Sequence, residues 1–328
     1  MNLEKSMFKK IIAALGAAII FASAFASCAA APAEKNDTID VVCTVFPCYD
    51  WTKQIVGDAD GINISYLLES GADLHNFQPT ADDMIKISNC DVFVYVGGES
   101  DKWVDDALEN AQNKNMKVIN LMNAVSENVV EEELKEGMEE ESDHDDGEDS
   151  PEYDEHIWLS LNNAQRCVSA ISDGLCEADD KNSAIYKDNS NLYQTELQLL
   201  DRSFHTLLDE KKPVLIFGDQ FPFRYFTEDY NLDYYAAFSG CSADTEASFE
   251  TIIFLAQKAD EFNAKYIFAI ENSDCTIADA VIENTADKSQ EIAILDSMQS
   301  ASSQQISDGA TYLGIMKKNY EVLEEAFK

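Results

Sequence analysis

Basic residues are scarce in this sequence. Lys and Arg number 23 against 62 Asp and Glu, a formal net charge of −39 over 328 residues. Such a surface repels nucleic acid and anionic substrates and favours cations. No CxxC pair occurs, which argues against a zinc ribbon or a thioredoxin-type redox site. HExxH, a Walker A loop and a GxGxxG after a strand are also missing. The common zinc-hydrolase, phosphate-binding and dinucleotide-binding signatures are therefore absent. Beyond the N-terminal segment no run approaches the ~18 apolar residues of a spanning helix. Histidine is rarer still, with four in the chain. Each of His75, His144, His156 and His205 therefore carries information.

What is present begins with an export pattern. Lys5, Lys9 and Lys10 precede the apolar run 11–26, and Phe25-Ala26-Ser27 lead into Cys28. This order resembles a bacterial lipoprotein signal. The expectation is a signal peptide over 1–27, a lipidated Cys28 and a polar tether over 28–37. The alternative is an uncleaved N-terminal anchor. Either way the remainder is expected outside the cytoplasm, held at the cell membrane. Seven further cysteines remain, an odd number that cannot pair completely. An oxidising location permits disulfides without requiring them. Most are read as small buried apolar residues. Cys48, near the end of the first strand, is a lesser option as a soft ligand.

The length suggests two lobes of ordinary size. Apolar runs over 39–46, 62–68, 91–96 and 116–121 read as buried strands alternating with helices, which implies a parallel sheet covered on both faces. Strands over 213–217, 233–237, 266–270 and 291–295 repeat that grammar. Between the halves, 183–210 contain no Gly or Pro. Ile185, Tyr186, Leu192, Leu197, Leu200, Phe204, Leu207 and Leu208 recur there at roughly helical spacing. The expected fold is therefore α/β: two parallel-sheet lobes, 38–182 and 212–328, joined by one long rigid helix over 183–211. Residues 131–155 hold 15 acids and one Lys. So little apolar surface predicts a mobile loop.

The histidines differ in setting. His205 follows Phe204 on the long helix and reads as a packing or surface residue, and His144 lies inside the acidic run. His75 sits in a loop after a strand, where ligands bind in such folds, and His156 closes the acidic run. Imidazole with carboxylate suits zinc or manganese.

Four segments carry a resemblance. They are Thr44-Val45-Phe46-Pro47, then Gly71-Ala72-Asp73-Leu74-His75 with Pro79-Thr80. Gly97-Gly98-Glu99-Ser100-Asp101-Lys102-Trp103 and Asp154-Glu155-His156-Ile157-Trp158-Leu159 complete the set. Together they resemble the metal-binding lipoproteins of ABC importers for zinc and manganese. The resemblance implies a monomeric receptor, not an enzyme. It would capture a divalent transition metal, zinc with manganese as the alternative, between two lobes and deliver it to a membrane permease. It also implies a ligand set. His75 and His156 match two family ligands, and the usual third position falls on Gln220, with the carboxylate of Asp219 beside it as the preferred substitute. Asp296 matches the fourth, with a helix N-cap as its alternative role, and Glu271 matches an acid near the site. An oxygen-richer set shifts preference toward manganese. Rival functions are an extracellular metal hydrolase and a surface adhesin.

Overall fold

The computed structural model describes residues 38–71, 74–139, 153–242 and 246–328. The signal segment, Cys28, the tether and His144 lie outside the described residues.

The first sheet contains β1 (Ile39–Cys43), β2 (Ile62–Tyr66), β3 (Val92–Tyr95) and β4 (Lys117–Asn120), ordered β2-β1-β3-β4. All its pairings are parallel. Helices α1 (Phe46–Val56), α2 (Ala81–Asn89), α3 (Trp103–Glu109) and the one-turn α4 (Leu121–Ala124) connect and follow the strands. β1 stops earlier than the apolar run suggests. Pro47 stands in the first turn of α1, where its fixed φ suits a helix start. Thr80 caps α2 through a reciprocal box with Asp83, which satisfies two otherwise orphaned N–H groups.

The second sheet contains β5 (Val214–Phe217), β6 (Asp233–Ala236), β7 (Tyr266–Ile270) and β8 (Glu291–Leu295). Its order is β6-β5-β7-β8, again parallel. Between the sheets run α5 (Leu161–Ala178) and α6 (Ser183–Leu208). With 26 residues, α6 is about 39 Å long. Its buried stripe is Tyr186, Ser190, Tyr193, Leu197, Leu200, Phe204 and Leu208. Ile185 and Leu192, counted with that stripe from sequence, face solvent instead. The period is helical, but Tyr193 occupies the inward position. Neither this helix nor any other among the described residues is long and apolar enough to cross a membrane.

In the second half lie α7 (Arg224–Tyr230), α8 (Phe249–Glu261), α9 (Thr276–Asn284), α10 (Ser303–Ser307) and α11 (Tyr312–Ala326). One hydrophobic core runs through both sheets, and α11 joins them. The Tyr312 amide donates to Asp50 Oδ2 at 2.9 Å, and the Tyr312 hydroxyl donates to the Trp158 carbonyl. Trp158 Nε1 donates to the Ser297 carbonyl at 2.8 Å, and the Tyr66 hydroxyl to the Ala301 carbonyl at 2.9 Å. A smaller core lies between the second sheet and α8 and α9.

The acidic run departs from expectation at both ends. Residues 131–139 and 153–155 are held against the second sheet's elements. Arg224 pairs with Glu133, and Lys135 pairs with Asp233 and lies 4.1 Å from the centre of the Tyr234 ring. Met138 is buried, and Gly137 touches Phe254 so closely that a Cβ would stand 2.1 Å from a ring carbon. A few basic, aromatic and apolar contacts thus anchor a segment whose composition alone reads as solvated.

Candidate metal site

His75 lies in a single 3-10 turn after β2, and His156 precedes another at the start of α5. Though 81 positions apart, their Nε2 atoms face each other at 3.2 Å. Each Nδ1 is engaged on its far side. His75 Nδ1 pairs with Ser100 Oγ at 2.9 Å and lies 3.7 Å from Glu155 Oε2. One oxygen of Asp154 accepts from both the backbone N–H and Nδ1 of His156, at 2.8 and 2.9 Å. A carboxylate on Nδ1 fixes the ring and leaves the Nε2 lone pair for a ligand. Trp158 meets the His156 ring edge-on with centroids 5.3 Å apart, and His156 is fully buried.

The charges around this pair suit a cation. Glu155 Oε1 accepts from the Ser100 amide at 2.7 Å, whereas Glu155 Oε2 is buried without a hydrogen bond. Gly98, at φ +90°, makes room: a Cβ there would lie 2.4 Å from Glu155 Oε1. Burial pushes the Glu155 carboxyl up despite the Ser100 hydrogen bonds. Burial also lifts Asp101 to about 7, with Glu155 adding to the rise against the Gly97 hydrogen bond. Burial pulls the His156 imidazole down, but Asp154, Glu155 and Glu132 outweigh it and hold the ring above its ordinary value. Two nitrogens sharing a tetrahedral zinc at ~2.0–2.1 Å are about 3.3 Å apart. The observed 3.2 Å therefore fits one shared ion.

The third member of the cluster is Cys241. His75, His156 and Cys241 each offer a ligand atom, all within 4.8 Å of one another. They are the one such group of three or more among the described residues. Cys241 follows β6 in a tightly held loop. Its amide donates to Glu132 Oε1 at 3.0 Å, and Gln220 Nε2 donates to the Ser242 carbonyl. Gly240 lets the loop close down: a Cβ there would stand 2.9 Å from the Phe221 carbonyl oxygen and 3.2 Å from the His156 ring. Burial, then Asp154, Glu132 and Glu155, push the Cys241 thiol well above its usual range.

The expected carboxylates do not join this cluster. Asp219 accepts from the amides of Gln220 at 2.9 Å and Ile270 at 3.3 Å, tying the end of β5 to β7. Asp296 accepts from the Met298 amide at 2.9 Å in a local turn, and its own backbone is held by Asn319. It caps no helix. Glu271 accepts from the Ser297 amide and hydroxyl at 2.6 and 2.8 Å and from the Gln299 amide at 3.1 Å. Burial and then Asp296 push Glu271 up to about 8. His75, Asp219, Gln220 and Glu271 nevertheless line one cavity of about 690 Å³, while Asp296 lines a second of about 250 Å³ that Glu271 also borders. Cys48 is buried in α1 and is not part of the cluster. All seven described cysteines are free thiols.

Sequence reasoning missed Cys241. A positional signal existed: it follows the second strand of the second half, as His75 follows the second strand of the first.

Two parallel sheets in the same order, sharing a core and meeting around a donor cluster, define a two-lobed α/β protein with its candidate site at the loops of both lobes. Residues 41–326 match the family described as zinc-uptake complex component A, periplasmic (ZnuA), and the chain belongs to that family. It is 29% identical over 294 residues to the zinc-binding lipoprotein AdcA of Streptococcus pneumoniae, covering 89% of this chain and 56% of that protein. The chain thus spans little more than half the length of that relative. To the high-affinity zinc uptake system protein ZnuA of Bacillus subtilis it is 28% identical over 295 residues, covering 89% and 88%. Among solved structures, the Zn(II)-bound ZnuA-like domain of S. pneumoniae AdcA superposes with a TM-score of 0.68 at 25% identity, over 88% of this chain and 99% of that one. The metal-dependent lipoprotein YcdH of B. subtilis does so with a TM-score of 0.70 at 27% identity, over 89% and 100%.

Proposed function

We propose that this chain is an extracytoplasmic receptor, lipidated at Cys28, that captures zinc and delivers it to an ABC importer permease. His75 and His156 bind the cation through Nε2. Asp154 orients His156, while Ser100 and Glu155 flank the His75 Nδ1. Asp219 lines the adjoining cavity and adds to the negative field that draws a cation in, while Glu271 borders the same cavity with its carboxyl held largely protonated by burial. The observation that carries this reading is the facing Nε2 pair, 3.2 Å apart with both Nδ1 atoms engaged.

The test is competitive calorimetric titration of the full-length protein in detergent with zinc. Stoichiometric tight binding without turnover is expected, and His75→Ala or His156→Ala removes it while leaving the circular dichroism spectrum unchanged. Wild-type affinity in both variants sinks the reading. A chemical turnover that needs the bound ion would instead favour a metal hydrolase.

A further inference from the structure

We propose that Cys241 is the third protein ligand of the captured cation, and that its thiolate tunes the site toward zinc over manganese. This inference rests on the receptor reading above and adds the donor that completes the histidine pair from the second lobe.

Three observations carry it. The first is proximity: Cys241 Sγ falls with both imidazoles inside a 4.8 Å envelope that admits no further His, Cys, Asp or Glu among the described residues. A tetrahedral zinc with Zn–S near 2.3 Å and Zn–N near 2.05 Å separates sulfur from nitrogen by about 3.5 Å. A side-chain adjustment on the order of 1 Å therefore suffices. The second is how the loop is built. Gly240 allows the approach to His156, Glu132 holds the Cys241 amide, and Gln220 holds the next carbonyl. Gln220 occupies the expected third-ligand position, yet its amide secures the loop that presents the thiol. The third is charge. A divalent ion with one thiolate keeps a single positive charge, opposed by Asp154 beside His156 and by the unbonded oxygen of Glu155.

On binding, the S–H bond breaks and the sulfur electron pair forms the bond to the metal. The proton passes to bulk buffer, and no oxidant or reductant takes part. A soft thiolate favours zinc, whereas manganese prefers oxygen donors.

The full-length protein in detergent is loaded with cobalt(II) as a spectroscopic stand-in for zinc. An intense near-ultraviolet sulfur-to-cobalt charge-transfer band is expected beside the visible d–d bands. Cys241→Ser loses the near-ultraviolet band and keeps visible bands, whereas Cys275→Ser keeps both. Zinc affinity of Cys241→Ser falls at least about 100-fold, while manganese affinity stays within about threefold. A wild-type protein that binds cobalt without the charge-transfer band overturns the proposal, as does a band that survives in Cys241→Ser. Both outcomes leave the receptor reading intact. Failure of the wild type to bind cobalt or zinc overturns both. Should Cys241→Ser not fold, thiol alkylation of the wild type decides. Zinc is expected to slow labelling of Cys241 more than tenfold and to leave Cys275 unaffected. Equal labelling of Cys241 with and without zinc overturns the assignment.

Discussion

The two sheets share a strand order, parallel pairing and a loop that projects a donor after the corresponding strand. In the first lobe that loop, after β2, carries His75, and in the second, after β6, it carries Cys241. The lobes differ in what surrounds these donors. The first lobe supplies both imidazoles and the two acids beside their Nδ1 atoms, Asp154 and Glu155. The second lobe has acids of its own, but both oxygens of Asp219 and of Glu271 accept from loop N–H or O–H groups, and one oxygen of Asp296 accepts from the Met298 amide. The scaffold fixes where a donor can stand, and local backbone demand decides which donors remain available. An acid at a strand end is drawn to the nearest unpaired N–H, whereas a thiol, a weak acceptor, is not.

The comparison can be broken at several points beyond the histidine deletions, which carry the largest effect. Asp154→Asn should lower zinc affinity by about 10–100-fold, since it removes the carboxylate that fixes His156. Calorimetry checks this, and an unchanged affinity contradicts the orienting role. Gly240→Ala should cost less, about tenfold, by lifting the Cys241 loop off His156.

The acids respond to pH with a definite sign. Glu271 is raised from 4.5 to about 8 and Asp101 from 3.8 to about 7, both first by burial. The folded state therefore holds these protons more tightly than the unfolded chain. Their contribution is fully present below pH ~4 and is lost as pH rises through about 7 to 8. The ion-free protein should melt several degrees lower at pH 8 than at pH 5, and a melting temperature that rises over that window contradicts it. The smallest effect lies away from the site. Thr80→Ala removes the α2 cap and should cost about 1 kcal/mol by chemical denaturation.

Much of the fold is legible in sequence because its signals are local. The continuous apolar strands and the uninterrupted stretch from Ser183 onward announce two parallel sheets and α6 without reference to distant residues. The histidine pair is legible because rarity and flanking motifs single it out. Cys241 is not, since it has no distinctive neighbours and gains meaning only where β6 delivers it beside His156. The commitments of Asp219 and Asp296 were hidden likewise, because the amides that occupy them belong to the fine geometry of loops. The anchoring of 131–139 escaped for a related reason: Arg224, Tyr234 and Phe254 lie some hundred positions onward.

The bonds that cross between the lobes bear on timing. Trp158 to Ser297, Tyr312 to Asp50 and Tyr66 to Ala301 are buried hydrogen bonds inside a shared core. Breaking several of them together is costly, so swinging one half against the other is a poor route for cargo to come and go. With Cys241 as a ligand, residence time would instead depend on the local bonds around the ion, such as the hold of Glu132 on the Cys241 amide.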